Sequence, residues 1–173
     1  NGSVVDPNGP VTIDPDTGNV EIPIEDGSII ATPEGDTQLP NDTVIKPNGT
    51  VEIPTGNGDI VVTPEGPATI NPDGSLIIQP TPGETVEIPT ANGPITVTPN
   101  GDITVDKDGN VTIPTDQGNI TIKPDGTVTI PTQDGDITIT PEGDVTLPNG
   151  SVVDPNGPVT IDPDTGNVEI PIE

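Results

Sequence analysis

Between residues 127 and 143, Val128 and Ile130 alternate with Thr127 and Thr129, and Ile137 and Ile139 alternate with Asp136, Thr138 and Thr140. Branched apolar residues at every second position mark strands with one buried and one wet face. A Pro-Thr-x-x-Gly stretch (131–135) separates the two strings, and Pro141-Glu142-Gly143 closes the second. The theme recurs as 17-residue units at 50–66, 85–101 and 110–126 and as 18-residue variants at 10–27 and 67–84. Residues 144–157 are a shortened unit, 102–109 a half unit and 28–49 an imperfect one. Each unit predicts two short strands. Pro or Gly every few residues excludes helix almost throughout.

The breaks fall into two families. Pro-x-Gly, as at Pro7-Asn8-Gly9, Pro33-Glu34-Gly35, Pro64-Glu65-Gly66 and Pro124-Asp125-Gly126, places Pro at the second position of a type I turn and Gly in the left-handed position that follows. Ile-Pro-Thr-x-x-Gly, as at 113–118 and 130–135, predicts a strand that ends at its Pro, which has no N–H to give a ladder.

A longer repeat encloses the shorter one. Residues 149–173 reproduce residues 1–25 letter for letter, an offset of 148. The chain therefore reads as one complete tandem unit, 1–148, and the start of the next copy, 149–173, with no capping segment at either end: a window on a longer array.

Two architectures fit this period. In a two-sided parallel β-solenoid, each unit of about 17 residues is one coil, and coils stack about 4.8 Å apart. In an antiparallel β meander each break is a hairpin, which Pro-x-Gly turns by themselves favour. The solenoid is preferred, because a single-layer meander leaves a whole Val/Ile face bare, whereas a coil supplies its own opposite face. In either case one unit buries too few branched residues to offset the entropy of ordering it. Stability must come from neighbours.

Composition narrows the chemistry. Pro and Gly make up about a quarter of the chain, which without a period would mark disorder. There is no Cys, Met, His or aromatic residue. Disulfides, thiolate metal sites and the commonest general bases and nucleophiles are thus excluded. Acidic residues number 29 against 3 basic, a net charge of -26. A basic groove for nucleic acid is excluded, attraction to anionic lipid is disfavoured, and no apolar run is long enough for membrane insertion.

Aspartate pairs are the remaining candidates for a site. Asp106-Lys107-Asp108-Gly109-Asn110 begins like a calcium loop, but Gln117 stands at the twelfth position where an EF-hand needs Glu. Asp14 and Asp16 form a similar pair, which recurs as Asp162 and Asp164. Solvated turn residues explain all six. Calcium bridging of neighbouring windings is the sharper reading, since like charges 4.8 Å apart repel by roughly 0.9 kcal/mol per pair even in water. Calcium is the one candidate cofactor. The nonapeptides of calcium β-rolls are absent. Thr96/Thr98 and Thr138/Thr140 are T-x-T pairs of the kind on ice-binding solenoids, interrupted in equivalent places by Glu52, Glu87 and Glu169. No acid pair stands out for glycoside hydrolysis, and the chain does not read as an enzyme. Asn48-Gly49-Thr50 and Asn119-Ile120-Thr121 are sequons that turns and strands would produce anyway. Of Lys46, Lys107 and Lys123, the first and last precede Pro, which suits a protease-resistant polymer.

In its repetition and composition the whole chain resembles giant tandem-repeat surface or extracellular fibre proteins of bacteria. The resemblance implies a structural role outside the cell or on its surface, as a filament or stalk whose partners are copies of itself. The alternative is a rigid spacer projecting an adhesive head.

Overall fold

The computed structural model describes residues 7–162, 165 and 167–172. Among them are twenty strands and no helix. Every pairing is antiparallel. The fold is all-β, and the parallel solenoid is corrected to the antiparallel meander.

The chain lays strands into two layers. In layer one, β1 (Thr12–Ile13), β2 (Val20–Ile24), β3 (Gly27–Ala31), β4 (Thr37–Gln38), β5 (Val44–Ile45), β6 (Val51–Thr55) and β7 (Gly58–Val62) form a sheet in chain order. The chain then crosses to layer two for β8 (Thr69–Ile70) and β9 (Leu76–Ile78). It returns to layer one for the hairpin β10 (Val86–Ile88) and β11 (Ile95–Val97). A second visit to layer two adds β12 (Ile103–Val105), β13 (Val111–Thr115), β14 (Gly118–Ile122), β15 (Val128–Thr132), β16 (Gly135–Ile139), β17 (Val145–Thr146) and β18 (Val152–Val153). With β8 and β9 these make one nine-stranded sheet in which β12 pairs with β9. The final hairpin, β19 (Thr160–Ile161) and β20 (Val168–Glu169), lies beside β11 in layer one.

These crossings answer the objection to a meander. Alternation gives each sheet one apolar face, and the other sheet covers it. Val111, Ile113, Ile120, Ile122, Val128 and Ile130 of layer two are buried in one cluster with Val51, Ile53, Ile60, Val62, Ile88 and Ile95 of layer one. Register keeps the inward residues opposite one another, as in Val111↔Ile122, Ile113↔Ile120, Val51↔Val62 and Ile53↔Ile60. A slip of one residue would turn every one of them outward.

Both turn families can close hairpins. In the Pro-x-Gly family the amide of Lys123 donates to the Thr127 carbonyl at 2.9 Å and that of Gly126 to the Lys123 carbonyl at 2.9 Å, with Gly126 at φ 97°. This is a type I turn followed by a left-handed residue, a three-residue hairpin loop. In the other family the strand runs through its Pro: Pro114 faces Asn119 and Pro131 faces Asp136. The expected stop at Pro is thereby corrected. Counting the alternation of hydrogen-bonded pairs from the closing pair Thr115↔Gly118 puts Pro114 where an N–H would point away from its hairpin partner. Its carbonyl, on that same side, accepts from the Asn100 amide at 3.0 Å.

Successive turns stack through a contact the sequence reading had not anticipated. A β-carbon built on Gly109, Gly118 or Gly135 would lie 3.0–3.1 Å from a ring carbon of Pro124, Pro131 or Pro148, the proline of a following turn. The same Gly–Pro contact bridges the seams of layer one, from Gly58 to Pro89 at 3.3 Å and from Gly93 to Pro158 at 3.2 Å. With β7 against β10 and β11 against β19, layer one is a single row of eleven strands, about 48 Å from first to last at 4.8 Å per strand.

Candidate interaction surface

With the core sealed between layers, chemistry is left to the outer faces, the turn rims and the strand edges. On layer two the outward positions fall into one row. Thr104, Thr112, Thr121, Thr129, Thr138 and Thr146 are successive cross-strand neighbours from β12 to β17. The equivalent row of layer one is mixed: Thr12, Glu21, Ile30, Gln38, Val44, Glu52 and Val61 from β1 to β7. Of the T-x-T candidates, Thr138 belongs to the threonine row, whereas Thr96 faces Glu87. Thr140 lies beyond β16, its hydroxyl accepting from the Asp144 amide at 3.2 Å. Glu52 faces Val44 and Val61, and Glu169 faces Thr160.

The rims carry many of the aspartates, and several accept from the backbone of their own turn. Asp14 Oδ1 accepts from the amides of Asp16 at 2.9 Å and Thr17 at 3.4 Å. The Asp16 amide, then the Thr17 hydroxyl, holds its carboxyl below the ordinary carboxylate value. Asp106 Oδ1 accepts from the amides of Asp108 and Asn110 at 2.9 and 2.8 Å, and its Oδ2 from the Asn110 side chain at 2.8 Å. Asp108 pairs with Lys107 at 3.0 Å. Asp162 Oδ1 accepts from the Thr165 amide at 3.1 Å, and Asp164 lies outside the described residues. Asp14 and Asp16 occupy the β1–β2 turn, Asp106 and Asp108 the β12–β13 turn, and Asp162 the β19–β20 turn. Asp14, Asp106 and Asp162 each serve their own turn, and among the described residues no three acidic side chains converge on a point that could hold a metal ion. Asp73 and Asp125 are also lowered, the first chiefly by the Ser75 hydroxyl and the second by the Thr127 amide.

Of the cations, Lys46 bridges Asp36 at 3.3 Å and Glu52 at 3.4 Å across the outer face of layer one. Its pKa is raised, first by Asp36 and then by Glu52. Lys107 reaches Asp26 of layer one at 3.8 Å as well as its own neighbour Asp108, which is the main cause of its raised pKa.

Polar links between the layers run along the rim and were not read from the sequence. The side-chain amide of Asn41 donates to the Asp106 carbonyl at 2.9 Å and that of Asn92 to the Gly143 carbonyl at 2.8 Å. Asn57 packs on Gly126, and Gly56 abuts the Asp125 carbonyl. The signal was present: Asn41, Asn57 and Asn92 each stand one to three residues after a Pro. Nothing in one sequence distinguishes them from ordinary turn asparagines.

No family model and no curated protein sequence matches the chain. Among solved structures, the chain is similar to the wild-type TCP10 domain of Danio rerio CPAP, at 22% identity over 83% of this chain and 75% of that one, with a TM-score of 0.28. A mutant of the same domain aligns at 25% identity over 84% and 97%, with a TM-score of 0.29. The G-box domain of the microcephaly protein CPAP aligns at 23% identity over 84% and 97%, with a TM-score of 0.28. TM-scores this low carry no argument about fold or function. No helix among the described residues is long and apolar enough to cross a membrane.

Proposed function

We propose that this chain is a segment of a long, acidic, extracellular or cell-surface fibre of the bacterial tandem-repeat kind, with a mechanical rather than catalytic role. One observation carries the reading. The second copy of the repeated sequence takes up the hairpin of the first in the same register, Thr160↔Glu169 and Ile161↔Val168 against Thr12↔Glu21 and Ile13↔Val20. It does so as the next strands of layer one, the same Gly–Pro contact spanning the seam. A fold that adds hairpins in a line and restarts its own sequence in that line is suited to indefinite extension.

The net charge of -26 favours a slender stalk over a bundle, because parallel copies repel at physiological salt within a Debye length of about 8 Å. The spacer reading therefore shares the same geometry and differs only in whether copies assemble. Small-angle scattering of the purified chain tests the shape. A rod-like profile with a long dimension of at least about 48 Å along the strand stack supports the fibre. A sphere-like profile of the same mass removes it.

A further inference from the structure

Pro-Asn-Gly stands at 47–49 and again at 99–101, in two different settings. The first is the hairpin turn between β5 and β6. Gly49 sits at φ 94°, its amide donates to the Lys46 carbonyl at 2.9 Å, and Asn48 Oδ1 accepts from the Thr50 amide at 3.0 Å. The second lies in the layer crossing from β11 to β12. There Gly101 is not left-handed, and its amide donates to no acceptor among the described residues. The Asn100 amide donates to the Pro114 carbonyl at 3.0 Å, and the Asn100 side chain donates to Asp116 Oδ1 at 2.7 Å. Asn100 and Gly101 are both exposed. The other two Asn-Gly pairs between β5 and β12 follow the hairpin pattern. The Gly93 amide donates to the Thr90 carbonyl at 3.1 Å, and Gly58 is paired with Thr55 in the ladder.

We propose that Asn100 is a site of spontaneous deamidation, set apart from Asn48, Asn57 and Asn92 by the uncommitted amide that follows it. The Gly101 nitrogen loses its proton and attacks Asn100 Cγ. The N–Cγ bond forms, the Cγ–Nδ2 bond breaks, and ammonia leaves carrying a proton in place of the one lost, which closes a succinimide ring. Solvent water then opens the ring at either carbonyl. The product is Asp at position 100, or an isoaspartyl link whose backbone runs through the former side chain. Gly lets the nitrogen approach, because it has no β-carbon in the way. An amide already given to a carbonyl reacts only after that bond opens. Gly49 and Gly93 must therefore open their hairpins first, and Gly101 has no such bond to break. The Asn100–Asp116 bond is the remaining restraint. It is exposed, and losing it leaves the ladder intact. Ring closure removes the donor, and hydrolysis sets a carboxylate against that of Asp116, which repels it. The crossing is then untied from the β13–β14 turn, and a chain of net charge -26 gains one more negative charge. The step runs one way, so it records the age of the molecule.

Peptide mapping by mass spectrometry tests this on the full chain, aged in warm, mildly alkaline buffer and sampled over weeks, with isoaspartate scored separately from aspartate. Asn100 is expected to convert at least tenfold faster than Asn48 or Asn92. In concentrated urea, where no turn holds an amide, the three are expected to convert at similar rates. D116A frees the Asn100 side chain and is expected to speed its conversion severalfold while leaving Asn48 unchanged. Equal rates at Asn100, Asn48 and Asn92 in the folded chain overturn the proposal, as does conversion of Asn48 or Asn92 ahead of Asn100. Selectivity for Asn100 that persists in urea also overturns it, because the cause is then local sequence and not the crossing. A D116A rate equal to that of the wild type overturns the restraint assigned to Asp116. None of these outcomes bears on the fibre reading, which scattering tests by itself.

Discussion

Residues 10–24 and 158–172 share every letter yet occupy different environments. The hairpin and its register are the same in both, so local sequence suffices for them: Val/Ile alternation and turn chemistry act within a dozen residues. The burial is not the same. Val11 is half exposed and Val159 is sealed, because one hairpin begins layer one and the other abuts β11. Identical residues therefore contribute differently to stability, and the difference belongs to their neighbours.

The sharpest break of this comparison puts one residue type in two surroundings. A β-carbon on Gly56 would collide with the Asp125 carbonyl of the facing layer, whereas Gly66 has open space around it. G56A is expected to lower unfolding free energy by about 3 kcal/mol, since backbone on both sides must move. G66A should change it by less than about 1 kcal/mol. Urea midpoints measure both. Next comes the repeated hairpin. V159A is expected to cost about 2 kcal/mol by leaving a core void, and V11A less than about 0.5 kcal/mol, in the monomeric chain at low concentration. Equal effects would mean that the second hairpin is not docked as described.

Smaller effects test the turn rims. Asp14, Asp73 and Asp125 are ionised more readily in the fold than in the unfolded chain, through bonds from amides and hydroxyls of their own turns. A depressed folded pKa gives stability that is present above the ordinary value of 3.8 and lost as pH falls through the lowered one. The urea midpoint should therefore hold from pH 7 to about 5 and decline below about 4. D125N keeps the acceptor oxygen and removes the titration, so its acid limb should be shallower. The smallest expected effect is that of a chelator. With Asp14 and Asp106 committed to their own amides, EDTA at low salt should leave the melting temperature unchanged. A fall of several degrees would support calcium bridging.

The two layers differ in what their outer rows display. Layer two presents threonine at six consecutive strands and layer one a mixture of Glu, Gln, Val and Ile, over cores of the same composition. Alternation fixes the inner face and leaves the outer one free, so the inner pattern was legible and the meaning of the outer was not. Strand positions were legible too: Val128 and Ile130, and Ile137 and Ile139, lie in β15 and β16 where the alternation puts them. The layer crossings were hidden in familiar letters. Thr-Pro-Glu-Gly makes hairpin turns at 32–35 and 140–143 and a crossover at 63–66. In the hairpins the amide after the Gly, from Asp36 or Asp144, donates to the Thr hydroxyl at 3.2 Å. Pro67 follows Gly66 and has no such amide. The clue is one residue long and gains its meaning only beside the hairpins it fails to copy. The aspartate pairs were ambiguous for a related reason: D-x-D spacing serves an Asx turn as well as a cation, and the choice depends on whether the amides of the turn reach the carboxylate first.

By itself the sequence determined where the strands lie and which faces turn inward, because both follow from chemistry within one hairpin, and its repeated letters gave the restart after 148 residues. Only the tertiary structure decided antiparallel over parallel stacking, which strands share a layer, and which flank of each of two identical hairpins is buried. Those outcomes turn on what lies 30 to 70 residues away: two apolar faces that no local rule pairs, brought together because neither can be left in water.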